Sequence, residues 1–274
     1  MTSLPKRIIT TAPVVEHKEV AMGLYRLVLR VGDMAALARP GQFVNVLTGA
    51  GWDPLLRRPM SIAGIDGREL QLLYKVVGNG TAAMSRWQSG DEIDLLGPLG
   101  NGWDAAADGF PVLLGGGAGI APVYYLHKEL LRSSTAHHLI MGSRSTEEHF
   151  LQHDPHSGIS LSTDDGSAGV AGTVLDALHD LMEAALIPRS GLSLYGCGPP
   201  GMMRALADFA GQHEMDCQLA LEEIMACGIG LCQGCNVAMR LPGNTPEHSY
   251  HQRYRLSCID GPVFKAKELV TWQI

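Results

Sequence analysis

Cysteine is the residue type whose spacing carries the most chemistry in this chain. Cys227-Gly228-Ile229-Gly230-Leu231-Cys232-Gln233-Gly234-Cys235 has the spacing C-x4-C-x2-C, and Cys258 lies further on. That is the plant-type arrangement of thiolates around a [2Fe–2S] cluster. Three thiolates from one tight loop must all point inward. Glycines at 228, 230 and 234 let the backbone turn and bring N–H groups toward the sulfurs, which stabilises a negative cluster and tunes its potential. Structural zinc is the alternative. Zinc sites usually pair two separated C-x2–4-C knuckles, whereas three candidates here share one glycine-rich loop and the fourth stands alone. Cys197 and Cys217 lie outside the set, and Cys217 reads as a small buried hydrophobe.

Glycine loops supply the second kind of chemistry. Gly115-Gly116-Gly117-Ala118-Gly119-Ile120-Ala121-Pro122 follows an apolar run and precedes a helical stretch. Such a loop lets a pyrophosphate approach the backbone, and the helix N-terminus favours its charge. The run is Gly117-x-Gly119-x-x-Pro122 rather than G-x-G-x-x-G, and proline suits a first helical turn. A tight strand–helix turn with no ligand is the plainer explanation. A second loop in the same setting, Tyr195-Gly196-Cys197-Gly198-Pro199-Pro200, favours a ligand crevice at one sheet edge.

The elements that must position these residues fall into three stretches. Up to residue 104, short β-forming runs (Tyr25–Arg30, Gln42–Leu47, Glu69–Val77) alternate with Gly/Pro punctuation, including Gly97-Pro98. That spacing predicts an antiparallel barrel. From 105 to 212, apolar runs at Pro111–Leu114, His138–Met141, Ile159–Thr163 and Leu192–Tyr195 alternate with helical stretches at Pro122–Leu131, Val174–Leu186 and Met202–Gln212. That alternation predicts a parallel sheet covered on both faces, with Asp104–Phe110 as the linker. Residues 213–274 hold the cysteine loop and a polar stretch, and form the expected third unit.

Composition sets the outer bounds. The 274 residues are 46% hydrophobic and 18% charged, an ordinary globular profile for two or three domains. A net charge of −7 without a Lys/Arg run argues against nucleic-acid binding. No run reaches the roughly 18 uncharged apolar residues of a membrane span, and no signal-peptide pattern opens the chain, so the cytosol is the expected compartment.

Arg58-Pro59-Met60-Ser61, Gly80-Thr81, Gly117-x-Gly119-x-x-Pro122 and Cys197-Gly198-Pro199 together resemble the ferredoxin–NADP reductase superfamily in order and spacing. With the cysteine pattern, Glu222–Gly228, Asp260–Phe264 and Ser162–Ser167, the chain resembles the electron-transfer subunits of class B, NAD-dependent dihydroorotate dehydrogenases over nearly its whole length. The resemblance implies a barrel holding FAD, an α/β domain holding the nicotinamide and a C-terminal [2Fe–2S] domain. It places Arg58 on the FAD pyrophosphate, where a guanidinium suits paired phosphate oxygens. It sets Pro59, Met60 and Ser61 at the flavin, and Leu73, Tyr74, Lys75, Gly80 and Thr81 around the ring and phosphates. Arg57 reads as a surface charge. For NAD it implies Gly117, Gly119, Pro122, Asp164, Asp165, Cys197 and Gly198. Cys227, Cys232, Cys235 and Cys258 are the implied cluster ligands. The implied partner is an FMN-containing catalytic subunit that oxidises dihydroorotate, in a heterotetramer of two of each chain, with NAD⁺ as the final acceptor. A related reductase subunit serving another redox complex, and a zinc-stabilised binding module, are the rival readings. Two departures stand out. Leu231, where the family more often has a small residue, is expected to crowd the cluster loop. The stretch between Cys235 and Cys258 is long and His-rich, with His248 and His251 expected as exposed loop residues.

Overall fold

The computed structural model describes residues 7–49, 56–105, 109–241 and 250–270, without the side chains of residues 251 and 252. Its first unit is a closed antiparallel barrel. The strands are β1 (Ile8–Ala21), β2 (Leu24–Arg30), β3 (Phe43–Val46), β4 (Arg58–Asp66), β5 (Glu69–Lys75) and β6 (Glu92–Leu99), in the order β1-β2-β5-β4-β3-β6. A short helix, α1 (Asn79–Met84), joins β5 to β6. Period-2 alternation fills the interior: Leu27 and Leu29, Val44 and Val46, Leu70, Leu72 and Tyr74, Ile93 and Leu95 all turn inward. β1 is longer than its charged His17-Lys18-Glu19 run suggests, because it pairs with β2 along one edge and β6 along the other. Gly97-Pro98, read above as punctuation, lies inside β6, where a Cβ at Gly97 would meet Val44 Cγ1 at 2.7 Å.

The second unit is a seven-stranded sheet. It contains β7 (Phe110–Gly116), β8 (His138–Ser143), β9 (Ile159–Thr163), β10 (Val170–Ala171), β11 (Leu192–Cys197), β12 (Asp216–Ala220) and, from beyond the cysteine loop, β15 (Val263–Lys265). The order is β10-β9-β8-β7-β11-β12-β15, parallel except for the last pair. Helices α2 (Ile120–Arg132), α3 (Val174–Glu183) and α4 (Pro200–Gln212) cover it. Val112 and Leu114 of β7 share a core with α3 and α4, while Leu113 shares one with α2. A strand buried on both faces therefore reads as the continuous apolar run seen in the sequence. Thr173 caps α3 by accepting from the Asp176 N–H, and Asp176 returns the contact. The expected linker is short, since β7 begins at Phe110 and the Trp103 indole already donates to the Pro122 carbonyl at 3.1 Å.

Two strands of this sheet, β12 and β15, lie beyond position 212. The segment expected to form a separate cluster unit thus contributes the sheet's edge. It leaves on β12 and returns on the adjacent β15, with the Leu221 N–H donating to the Pro262 carbonyl at 2.9 Å. Between them, β13 (Asn236–Ala238) and β14 (Tyr254–Leu256) form a small antiparallel pair, with α5 (Tyr250–Arg253) immediately before β14. His248 lies outside the described residues. His251 falls in α5 rather than a loop, and its side chain is outside the description.

Candidate functional site: two cavities and a cysteine loop

Two cavities meet at the glycine loop after β7. The first, about 480 Å³, opens at the C-terminal ends of the parallel strands, where ligands bind in such sheets. Gly116 and Gly117, Ser143 and Arg144, Asp164, and the α4 start at Gly201 and Met202 contribute to its wall. The buried Ser162 hydroxyl also lines it and has no hydrogen-bond partner among the described residues. Gly117 takes φ +55°, a left-handed conformation that suits glycine. Gly119 serves packing instead: a Cβ there would collide with the Cys197 carbonyl. A backbone bared at a strand end and a buried hydroxyl awaiting a partner fit a dinucleotide.

The predicted nicotinamide residues therefore separate. Gly117 and Asp164 line the cavity. Asp165 does not. Its carboxylate accepts from the Ser167 N–H and hydroxyl, which holds it below the usual carboxylate range. Cys197 is buried at the end of β11, and Gly198 packs against Gly116. Pro122 is buried in α2. These last residues shape the loops without lining the cavity.

The second cavity, about 300 Å³, lies between barrel and sheet. Pro59, Met60 and Ser61 of β4, Leu73, Tyr74 and Lys75 of β5, and Thr81, all expected at the flavin from sequence, are brought together in its wall. Arg58 and Gly80 stand together just outside: a Cβ at Gly80 would meet Arg58 Nε at 2.5 Å. The Thr81 hydroxyl accepts from the Val77 and Gly78 N–H groups at 2.9 and 3.1 Å, which fixes the turn beside Arg58. A largely apolar cavity with an arginine against a glycine turn at its edge fits a flavin and its phosphates. Arg57 is no loose surface charge. It pairs with Asp94 at 2.9 Å because β4 lies beside β3, whose other neighbour is β6. Four further lining residues were not assigned to the flavin from sequence: Ala118 and Ala121 from the glycine loop, and Glu222 and Glu223 from the cysteine segment. Burial raises both glutamate pKa values above the usual carboxylate range.

Lys75 lines both cavities. It pairs with Glu148 at 2.7 Å, and Arg144 donates to the other oxygen of the same carboxylate through Nε at 2.9 Å. Burial opposes ionisation of Glu148, but the two cations outweigh it and hold the carboxyl below its ordinary range. Arg144 is therefore already engaged at the cavity rim.

The segment leading into the cysteine loop, through Leu221, Glu222, Glu223 and Met225, forms part of the flavin-cavity wall. Cys227 Sγ accepts from the Ile229 and Cys232 N–H groups at 3.5 and 3.4 Å. Burial disfavours its thiolate, yet these donors bring the thiol down to about 6. Cys235 and Cys258 touch within a buried apolar pocket formed with Phe43, Leu99 and Met225. Burial first, then the Cys235 thiol, pushes Cys258 up to about 12. Among the described residues no three Cys, His, Asp or Glu side chains form a single-ion site; a two-iron cluster takes two protein thiolates per iron. N–H donors already aimed at a sulfur fit such a cluster. Leu231 does not crowd the loop. Its side chain is 79% exposed, because the glycines on this loop turn position 231 outward. Cys217 is buried in the sheet core, as expected.

Barrel, nucleotide cavity and cysteine loop together define a flavin- and iron–sulfur-dependent oxidoreductase subunit of the ferredoxin-reductase fold. Residues 113–208 match the oxidoreductase NAD-binding domain, and residues 222–270 match the iron–sulfur cluster binding domain of dihydroorotate dehydrogenase B. The chain is 39% identical over 264 residues to the dihydroorotate dehydrogenase B (NAD(+)) electron transfer subunit of Geobacillus sp. (strain WCH70), covering 94% of this chain and 96% of the relative. It is 33% identical to the Fusobacterium nucleatum protein of the same name, covering 93% and 95%. It also superposes on an NADH-dependent reduced ferredoxin–NADP oxidoreductase with a TM-score of 0.78 and 26% identity, over 96% of this chain and 90% of that one. Phthalate dioxygenase reductase shares the fold at a TM-score of 0.59 and 14% identity, over 91% of this chain and 94% of that one. The chain belongs to the family of dihydroorotate dehydrogenase B electron transfer subunits, and its cofactors are FAD, a [2Fe–2S] cluster and NAD. Among the described residues, no helix is long and apolar enough to cross a membrane.

Proposed function

We propose that this chain carries electrons from dihydroorotate, oxidised on an FMN-bearing catalytic partner, to NAD⁺ in the cytosol, within a heterotetramer of two of each chain. One observation carries the proposal: the flavin cavity is lined both by the glycine loop of the nucleotide cavity, through Ala118 and Ala121, and by the segment leading into the cysteine loop, through Leu221, Glu222, Glu223 and Met225. FAD, when bound, converts between hydride, the currency of nicotinamide, and the single electrons that an iron–sulfur cluster handles.

The protein's own residues then have assignable tasks. Cys227, Cys232, Cys235 and Cys258 hold the cluster. Arg58 and the Gly80-Thr81 turn hold the FAD pyrophosphate, while Pro59, Met60, Ser61, Leu73 and Tyr74 shape the ring slot. Gly117 admits the NAD pyrophosphate, and Asp164 faces the adenosine ribose. Glu222 and Glu223 place two carboxyls of raised pKa where a proton can be held beside the flavin. Ile224 and Leu231, 89% and 79% exposed on the cluster segment, offer the partner an apolar rim.

The isolated subunit is expected to reduce artificial dyes with NADH and to leave dihydroorotate untouched. Adding the FMN subunit should couple dihydroorotate oxidation to NAD⁺ reduction. Dihydroorotate oxidation by the pure single chain would overturn the proposal.

A further inference from the structure

The strand β3 reads Phe43-Val44-Asn45-Val46, with one polar residue in an otherwise apolar run. Val44 and Val46 point into the barrel. Phe43 and Asn45 point out of it, and Phe43 packs with Cys235 and Cys258. Asn45 is 1% exposed. Neither its amide nitrogen nor its amide oxygen has a hydrogen-bond partner among the described residues. Buried amides are nearly always paired, so an unpaired one points to a missing partner.

The direction of the side chain identifies that partner. The amide lies hard against Gly228, where a Cβ would collide with Asn45 Nδ2. Gly228 takes φ +68° and directly follows Cys227. The amide therefore abuts the start of the cluster loop, at the residue next to Cys227, whose thiol already receives two backbone N–H groups. It does not line the flavin cavity.

We infer that Asn45, a residue of the flavin barrel, donates a hydrogen bond to the sulfur shell of the [2Fe–2S] cluster and raises its reduction potential. It is a positioning and tuning residue, not a ligand. This rests on the cysteine assignment proposed above. Reduction adds one electron and forms no bond. The added charge falls partly on sulfur, so an N–H donor stabilises the reduced form more than the oxidised form.

The test is an EPR-monitored redox titration of the holoprotein, with iron content measured in parallel. Asn45→Leu removes the donor at similar volume. It should lower the reduction equilibrium about tenfold, ~59 mV for a one-electron couple. Asn45→Val also removes the donor and should lower it likewise. A change below about twofold (~18 mV by the same constant) in both variants overturns the inference and assigns the amide to a buried water. If a variant loses iron, the wild-type site decides. Asparagine side chains are labelled with ¹⁵N in protein carrying Asn236→Ser, since Asn236 adjoins Cys235. A ¹⁵N coupling to the reduced cluster supports the bond, and its absence overturns it. Failure of the cysteine assignment would show separately, as a wild-type protein without the iron–sulfur EPR signal.

Discussion

Replacing Lys75 with methionine tests how barrel and sheet are held in register. The Lys75–Glu148 pair joins β5 of the barrel to the loop after β8, with side chains 20% and 4% exposed. The substitution leaves one carboxylate oxygen buried without its cation, while Arg144 retains the other oxygen. Losing a hydrogen bond between charged partners costs about 1.5–3 kcal/mol. For a chain of this size, ~2 kcal/mol corresponds to a fall of about 4–8 °C in thermal midpoint. Glu148→Gln should produce a similar fall, because it weakens the same contact. The double substitution should cost no more than the larger single one, since partners in one pair are not additive. Scanning calorimetry on the four holoproteins measures this, and additive shifts would refute the coupling. The pH dependence has a defined sign. Glu148 is held below its unfolded value of 4.5, so the pair's contribution is complete above that pH and is lost as pH falls through the folded value. The wild-type advantage over Lys75→Met should therefore shrink as pH falls through the folded carboxylate value.

Three other outcomes are expected. Cys232→Ser should deplete iron while FAD stays bound, keep much of the NADH–dye activity and abolish the coupled reaction; a coupled rate that survives without the cluster would contradict the electron route. Arg58→Ala should weaken FAD retention about ten- to a hundredfold, from the loss of a charge-assisted donor pair, as read by flavin content after dialysis. NADPH should be used about tenfold less efficiently than NADH, because Asp164 repels a 2′-phosphate and Arg144 is tied to Glu148. Asp164→Ser should narrow that gap, and equal kcat/KM for the two nucleotides in the unaltered protein would refute the preference.

Much of the fold was legible because its signals are local. Alternation gave the barrel, and apolar runs between helical stretches gave the sheet. What escaped depends on distant partners. β15 is three residues long and is a strand only because β12 lies beside it. The length of β1 comes from two neighbours and not from its own propensity. In the site, clustered cysteines and glycines announced themselves. Glu148 did not, since a glutamate in a polar loop looks like any solvated charge until Lys75 arrives from another domain. Asp164 and Asp165 were indistinguishable in sequence; a local turn with Ser167 takes one away and leaves the other in the cavity wall. Asn45 did leave a trace, as the lone amide among valines.

The cluster segment leaves and rejoins the sheet on neighbouring strands, one hydrogen bond apart at Leu221 and Pro262. Topologically it is a greatly enlarged hairpin connection. Closing a longer loop adds little entropy cost, so such an extension can be carried or dropped without rerouting the chain. The nicotinamide and flavin cavities are lined by residues that precede the segment, apart from the wall that Leu221, Glu222, Glu223, Met225 and Pro262 provide. A two-electron reductase with a short turn at this point and a one-electron relay with the whole segment are thus two products of a single architecture. What separates them is a graft at one sheet edge.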